Sequence, residues 1–225
     1  QEGPQALGAG REQRRIPVCP DLWIVLLRSQ TLARRTDGAF DVTVGPAVNL
    51  WRRARRQHRL PDSKLLERAI KSVGYQHLRL DPGDRTAQLL VPGMKLDLGG
   101  IAKGYAADEA LKVLRTRGFH RALVAADGDI VVAEPPPGKP GWRVAIASPE
   151  APDSPTNQLA ILKHAAISTS GDLSQRLEIN GQRYSHIVNP KTGLGLTDRS
   201  LVTIIARDST TADCLATAVS VLGPE

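Results

Sequence analysis

The stretch with the clearest chemical potential covers residues 96–110, L-D-L-G-G-I-A-K-G-Y-A-A-D-E-A. Its pattern predicts a short strand, a glycine pair and then a helix. Backbone amides at a helix N-terminus have no partner inside the helix, and they favour anions. Asp97 precedes the glycine pair and Lys103 follows it, so opposite charges flank the same turn. The stretch therefore suits a phosphate-bearing ligand together with a bound cation.

A second candidate lies near the end of the chain, where Asp213 and Thr217 are four residues apart. On a helix this spacing places both side chains on one face. A carboxylate and a hydroxyl are hard oxygen ligands, which suit Mg²⁺ better than zinc. Thr210 and Asp213 also fit a capping box, in which Asp213 would only cap the helix. The spacing alone leaves both interpretations open.

The segment Y-S-H-I-V-N-P-K-T-G, residues 184–193, contains the most distinctive histidine. The pattern predicts a strand on which His186 alternates with Tyr184 and Val188, followed directly by an Asn-Pro turn. A histidine at a strand end can act as a general base, because its unperturbed pKa is about 6.5. A purely structural histidine is the alternative.

Two further segments carry polar or aromatic groups. S-T-S-G-D, residues 168–172, predicts a polar turn that either holds a phosphate or connects two strands. In D-G-A-F-D-V-T-V-G-P, residues 37–46, Phe40 could pack against an aromatic ring of a ligand while Asp41 accepts hydrogen bonds. A buried phenylalanine is the alternative. No Walker A loop, G-x-G-x-x-G or G-x-S-x-G motif is present, which disfavours nucleotide kinases, dinucleotide-binding folds and hydrolase elbows.

The composition is that of a globular protein rather than a nucleic-acid binder. The 225 residues carry a net charge of +7, with the densest basic run at residues 51–59, W-R-R-A-R-R-Q-H-R. Aromatic residues make up only 4% of the chain, whereas single-strand binders interleave aromatics with basic residues. The run therefore predicts a solvated, arginine-rich helix end, and attraction to an anionic ligand or a membrane surface is the alternative. Cys19 and Cys214 lack the spacing of a zinc site, and Cys214 fits a small core residue.

Hydrophobic periodicity predicts an α+β fold with a largely antiparallel sheet flanked by helices. Asp21 is expected to cap the first helix, and Asn180-Gly181 is the strongest hairpin signal. Helices are predicted at 21–35, 47–56, 61 to about 74, within 94–117, and at 210–222. Strands are predicted at 77–80, 87–91, 122–126, 130–133, 142–147, 158–163, 165–169, 176–179, 183–188 and 201–206.

Five motifs, taken in order, resemble those of the FAD:protein FMN transferases, the ApbE-like flavin transferase family. They are D-G-A-F-D-V-T-V-G-P-A-V-N-L-W, L-D-L-G-G-I-A-K-G-Y-A-A-D, I-S-T-S-G-D, Y-S-H-I-V-N-P-K-T-G and A-D-C-L-A-T-A-V-S-V-L-G. Together they span residues 37 to 223. The resemblance implies a single ApbE-like domain over residues 1–225. It also leads us to expect that the family's N-terminal strand region and C-terminal end lie outside this chain.

The resemblance implies a Mg²⁺-dependent enzyme that splits FAD at its pyrophosphate. FMN would pass to a threonine hydroxyl of a target protein, and AMP would leave. The implied catalytic base is His186. The residues implied to contact FAD are Ala39, Phe40, Asp41, Asp97, Lys103 and Ile187. Those implied to hold the metal are Asp213, Thr217 and the backbone carbonyl of Gly100.

The same resemblance suggests a partner and a location. The acceptor would be a flavin-carrying subunit of a membrane redox complex, and the protein would be periplasmic or associated with the cell envelope, with possible anchoring through a segment absent here. No nucleic acid is expected as a partner. Two alternatives are an FAD pyrophosphatase, in which water attacks and FMN and AMP are released, and a non-catalytic flavin-binding protein. Asp213, Thr217 and His186 argue against the last, because a carrier needs neither metal nor base.

Overall fold

A computed structural model describes residues 14–146, 158–171, 176–198 and 200–224. The helices are α1 (Pro20–Arg35), α2 (Gly45–Gln57), α3 (Ser63–Ile70), α4 (Ala102–Thr116) and α5 (Ser209–Leu222). The strands are β1 (Ile16–Pro17), β2 (Leu78–Asp81), β3 (Thr86–Leu89), β4 (Leu123–Ala126), β5 (Asp129–Val132), β6 (Trp142–Ala145), β7 (Leu159–Leu162), β8 (Ala165–Gly171), β9 (Arg176–Ile179), β10 (Gln182–Ser185) and β11 (Leu201–Ala206). Pairing between these strands is antiparallel. The predicted α+β class is confirmed.

The chain divides into two compact units. The first comprises the described residues of Gln1–Leu98 and Gln175–Asp198, and the second those of Gly99–Ser174 and Arg199–Glu225. The single domain expected over residues 1–225 stays a prediction.

The first unit contains α1 to α3, a sheet in the order β1-β3-β2 and the β9–β10 hairpin. The hairpin turns at Asn180 and Gly181, whose φ angles are 52° and 75°. These positive angles are the ones that a type I′ turn requires, which confirms the Asn-Gly prediction. The largest core side chain is Trp51 of α2, which is 1% exposed and packs in a cluster with Leu177 and Ile179 of β9.

The second unit is a four-stranded sheet in the order β11-β8-β5-β4, accompanied by the β6–β7 pair, α4 and α5. Successive side chains of a strand point to opposite faces of its sheet. Val131 of β5 accordingly packs in a cluster with Ala107 and Ala212 of the two helices, whereas Val132 packs with Val144 of β6. Asp129 shares the alternation of Val131, so it lies on the face that the helices cover.

Several local predictions are wrong. The residues before the glycine pair form no strand, since only Lys95 makes an isolated bridge, to Val44. Helix α1 begins one residue before Asp21, after an N-cap at Cys19 that has no side-chain bond. Residues 168–171 are not a turn but the end of β8, because β11 continues the backbone ladder as far as Gly171. Asp172 lies outside the described residues.

Among the described helices, none is both long enough and apolar enough to span a bilayer.

Candidate functional site

Helices α4 and α5 of the second unit approach each other closely at Gly104. A Cβ atom at this position would lie 2.7 Å from the carbonyl carbon of Ser209 and 2.9 Å from the Cβ of Asp213, and closer still to the Ser209 carbonyl oxygen. Real Cβ atoms essentially never come within 3.0 Å of a neighbour. The glycine is therefore what allows the N-terminal turn of α4 to lie directly against α5.

Two aspartates fix the beginning of α5. Asp208 is its N-cap and accepts a hydrogen bond from the Thr211 amide at 2.8 Å. Asp108 of α4 accepts hydrogen bonds from the amides of Ser209, at 2.8 Å, and Thr210, at 2.9 Å. These bonds satisfy amides that a helix cannot satisfy internally. The capping interpretation of Asp213 is therefore wrong, because Asp208 and Asp108 accept the hydrogen bonds of the first amides of α5.

Asp213 instead belongs to a charge cluster with Asp129, which is also buried, and Lys103, whose side chain is 38% exposed. The Lys103 Nζ lies 3.5 Å from Oδ1 of Asp213 and 3.2 Å from Oδ2 of Asp129. The second oxygen of Asp213 accepts the Gly104 amide at 3.0 Å. Both aspartates are 1% exposed. The sequence suggested that amides at the beginning of α4 face a ligand phosphate. In this structure the Gly104 amide faces the carboxylate of Asp213.

The cluster holds two carboxylates against one ammonium, and the pKa values reflect this. Burial, followed by the nearby Asp129, raises the pKa of Asp213 to about 6, against the opposing effects of Lys103 and the Gly104 amide. Burial works to lower the pKa of Lys103, but the charges of Asp213 and Asp129 outweigh it, so that pKa is raised. The excess negative charge in a buried place favours binding of a further cation.

Two more oxygen atoms belong to residues four positions away along the chain from this contact. Gly100 is one helical turn before Gly104, whose amide donates to Asp213 rather than to the Gly100 carbonyl. In the described part of the chain, neither that carbonyl nor the hydroxyl of Thr217 has a hydrogen-bond donor or acceptor. Thr217 is half-buried and lies one turn beyond Asp213 on α5. Three oxygen donors, and no nitrogen or sulfur, are typical of a Mg²⁺ site. No group of three or more His, Cys, Asp or Glu side chains suited to a metal occurs among the described residues.

Asp97 lies in the first unit, beside the segment that begins α2. Its amide donates to the carbonyl of Val42 at 2.8 Å, and Lys95 bridges to Val44. Its carboxylate, 16% exposed, pairs with Arg52 of α2 at 2.8 Å. Arg52 comes from the basic run that was predicted to be solvated, so one member of that run has a defined partner.

Phe40 and Asp41 lie in a buried loop before α2, with exposures of 3% and 6%. One oxygen of Asp41 accepts the amide and the hydroxyl of Thr43, at 2.8 and 2.7 Å, and the other accepts the amide of Tyr75 at 2.8 Å. Burial raises the pKa of Asp41, and these hydrogen bonds oppose the shift. The carboxylate therefore organises the protein's own loop. Ala39, beside Phe40, is also buried.

His186 and Ile187 lie just beyond the end of β10, so the prediction that His186 belongs to the strand is wrong. The strand ends at Ser185, whose amide donates to Leu196 at 2.7 Å while Leu196 donates to Ile187 at 2.9 Å. These two bonds bracket His186 in a two-residue bend. The Trp51 indole also donates a hydrogen bond to the Ser185 carbonyl at 3.0 Å. The half-buried imidazole is thus held by a backbone that is fixed on both sides.

Comparison with known proteins places this chain in a family. The ApbE family model matches residues 6–225. The chain belongs to the ApbE family. It is 34% identical over 215 residues to a protein of Klebsiella pneumoniae named FAD:protein FMN transferase, covering 93% of this chain and 61% of that protein. An Escherichia coli K12 protein of the same name is 31% identical over 214 residues, with the same coverage.

Solved structures of the ApbE family have the same fold. The ApbE protein of Thermotoga maritima matches with a TM-score of 0.85 and 34% identity, over 94% of this chain and 68% of that one. The flavin transferase ApbE of Vibrio cholerae matches with a TM-score of 0.85 and 32% identity, over 96% and 69%. The chain thus spans about three fifths of the length of the curated ApbE relatives it matches.

In this member of the ApbE family, the structure groups the predicted site residues by unit. Gly100, Lys103, Asp213 and Thr217 lie in the second unit, in or just before helices α4 and α5, whereas Ala39, Phe40, Asp41, Asp97, His186 and Ile187 lie in the first unit. Sequence reasoning missed Asp129 and Asp108. A signal for Asp129 was present, because an acidic residue shares the alternation of the core residue Val131.

Proposed function

We propose that this chain is part of an FAD:protein FMN transferase. The hydroxyl oxygen of an acceptor threonine attacks the phosphorus of the FMN half of FAD, and a new phosphoester bond forms. The anhydride bond to the AMP half breaks, AMP leaves, and the hydroxyl proton passes to a base. The observation that carries this proposal is the buried, negatively charged cluster around Asp213, found in a chain of the ApbE family.

The proposed cofactor is Mg²⁺, held by Asp213, Thr217 and the Gly100 carbonyl. The fit is supported by an Asp213 carboxylate in a cluster with surplus negative charge and by two oxygen atoms that no donor of the described chain occupies. When bound, such an ion neutralises charge on a pyrophosphate. Mg²⁺ keeps several waters and binds through few carboxylates plus substrate phosphates, so a single protein carboxylate is sufficient.

His186 is the proposed general base. An imidazole can in general accept a proton near neutral pH, and phosphoryl transfer depends mainly on positioning and charge neutralisation. The backbone bonds on both sides of the bend support this role, since they restrict where the ring can go. Ile187, in the same bend, is proposed to contact the flavin.

The remaining residues proposed for the FAD site are of two kinds: those that contact FAD and one that supports the loop around it. Ala39, Phe40 and Asp97 are proposed to form part of the surface that receives FAD, and Lys103 to contact its phosphates. Because the Asp41 carboxylate already accepts three hydrogen bonds from Thr43 and Tyr75, we infer that Asp41 contributes by holding the loop in shape.

The proposed acceptor is a flavin-carrying subunit of a membrane redox complex, and the proposed location is the periplasm or cell envelope. The resemblance to the ApbE family supports both. Separation of the periplasm from the cytoplasm of cells that make the full-length protein, followed by immunodetection, tests the location.

A direct test incubates the full-length protein with FAD, Mg²⁺ and a candidate acceptor domain. We expect FMN attached covalently to an acceptor threonine, with labelling lost on chelation and in Asp213→Ala. Free FMN and AMP without acceptor labelling would show a pyrophosphatase instead. Undiminished transfer by His186→Ala would refute the general-base role while leaving the transferase proposal standing. Bound FAD that is never cleaved would show a flavin-binding protein.

A further inference from the structure

Asp129 is a buried acid for which the proposed reaction has so far given no role. It begins β5 and lies directly opposite Ser168 of β8 in the antiparallel ladder. The Ser168 hydroxyl donates a short hydrogen bond to its Oδ1. Both residues are 1% exposed. The backbone pairing and the serine therefore hold this carboxylate in one orientation.

Each carboxylate beside Lys103 has one oxygen bonded by the protein and one that faces the ammonium. The Gly104 amide donates to Oδ2 of Asp213 and the Ser168 hydroxyl to Oδ1 of Asp129, whereas Oδ1 of Asp213 lies 3.5 Å from Nζ. For Oδ2 of Asp129, the described residues supply no aligned hydrogen bond, only the ammonium of Lys103 at 3.2 Å. A buried carboxylate oxygen that lost its sole compensating charge would pay a large desolvation cost. A cation that binds Asp213 compensates that carboxylate when Lys103 moves away, whereas Asp129 gains no such substitute, so Lys103 can leave Asp213 more easily than Asp129.

We propose that Asp129 is a positioning residue that retains Lys103 while Asp213 exchanges that ammonium for a divalent cation. The inference rests on the proposed function, because it assumes that Asp213 is a cation ligand. Without Asp129, one ammonium would face one carboxylate, and the two would form a closed ion pair. An incoming cation would then have to break that pair and leave Lys103 without a counter-charge. With Asp129 present, Lys103 keeps its closer partner.

The test measures Mg²⁺ binding by titration calorimetry on the full-length protein, with and without FAD and without acceptor. Asp129→Asn keeps the shape of the side chain but removes its charge. We expect Mg²⁺ affinity to fall about tenfold or more, the usual size of effects from residues that orient ligands. Asp127→Asn is the matched control, because it removes the same charge from an exposed turn two residues away and should leave the affinity unchanged.

Measuring Asp129→Asn in a protein that also carries Lys103→Met shows whether Asp129 acts by retaining Lys103 or only through its own negative charge. If Asp129 acts by retaining Lys103, Asp129→Asn should lower Mg²⁺ affinity by less than about twofold in Lys103→Met, since a double-mutant cycle reports such coupling. If Asp129 acts only through its own negative charge, the tenfold loss will be the same in both backgrounds, and the inference is refuted. Ser168→Ala provides a second variant that keeps every charge. It should weaken Mg²⁺ binding severalfold with Lys103 present and not in Lys103→Met.

The outcomes distinguish the two proposals. A wild-type protein that binds no Mg²⁺, either alone or with FAD, overturns the metal part of the proposed function and this inference with it. A wild-type protein that binds Mg²⁺, with equal losses in both backgrounds, overturns only the role of Asp129. If Asp129→Asn does not fold, the Ser168→Ala pair decides by the same criterion.

Discussion

Replacing Gly104 by alanine tests the close approach of α4 and α5 on which the site depends. The added methyl group would lie 2.7 Å from the Ser209 carbonyl carbon, whereas ordinary contacts begin at 3.4 Å. The helices must therefore separate by about 0.7 Å at least, since the Ser209 carbonyl oxygen is closer still and the obstacle is backbone and not a flexible side chain. That movement lengthens the hydrogen bond from the Gly104 amide to Asp213, now 3.0 Å.

The expected cost follows from three contributions. Overpacking in a close contact costs about 1–3 kcal/mol. Weakening a hydrogen bond to a charged group costs up to about 1.5–3 kcal/mol. Alanine recovers about 1 kcal/mol over glycine inside a helix. Taking the middle of these ranges, we expect Gly104→Ala to lower the free energy of unfolding by about 3 kcal/mol and to weaken Mg²⁺ binding.

Urea unfolding followed by circular dichroism measures the change in stability, and calorimetry measures Mg²⁺ affinity. Ala106→Gly, at an exposed position of the same helix, is the control for helix propensity. It should cost about 1 kcal/mol and leave Mg²⁺ affinity unaltered. If Gly104→Ala unfolds at the same urea concentration as the wild type, or at a higher one, the described packing of α4 on α5 is incorrect.

Three further predictions concern other contacts of the site. Asp108→Ala removes the acceptor of two amides at the beginning of α5, so it should lower the free energy of unfolding by about 2 kcal/mol or more, measured in urea. Trp51→Phe removes the donor to the Ser185 carbonyl and should lower kcat for FMN transfer more than it raises KM for FAD, because it loosens the bend of His186. In metal-free protein, Asp213 should destabilise the fold as pH rises from about 4 to about 6. The folded pKa is above the unfolded one, so the stability gained from the protonated acid is lost through this window, by about 3 kcal/mol.

Each of these has its own control. Asp108→Asn keeps an acceptor oxygen and should retain part of the stability; a loss equal to that of Asp108→Ala would contradict the capping role. Equal kcat in Trp51→Phe and wild type would show that the indole bond does not support His186. The pH effect is read as the difference in unfolding free energy between the wild type and Asp213→Asn. A difference that stays constant from pH 4 to pH 6 would contradict the raised pKa.

The elements were predictable where local chemistry decides them. Asn180-Gly181 needs two positive φ angles and therefore identifies its hairpin from sequence alone. The predicted strand 201–206 matches β11 to the residue. The predictions of secondary structure failed where residues distant in sequence determine the backbone conformation. Ser168 is in a strand because β5 and β11 pair with it on both sides.

The site was predictable only in part, for the same reason. The i, i+4 spacing placed Asp213 and Thr217 on one helix face, and their roles came from resemblance to a family. The capping alternative failed because Asp208 is the N-cap of α5 and because Asp108, about a hundred positions earlier, also accepts a hydrogen bond from the first turn of that helix. The alternation with Val131 places Asp129 on the buried face of its strand, but its partner Lys103 is 26 positions away, so the local pattern does not reveal the role of Asp129.

Mass spectrometry of an acceptor domain tests the central claim most directly. The full-length protein, wild type or Asp213→Ala, is incubated with FAD, Mg²⁺ and the acceptor, and the acceptor is then digested and sequenced. The account predicts FMN on one threonine, formed by the wild type, lost on chelation and absent with Asp213→Ala. Release of FMN and AMP with an unmodified acceptor, or equal labelling by Asp213→Ala, would contradict it.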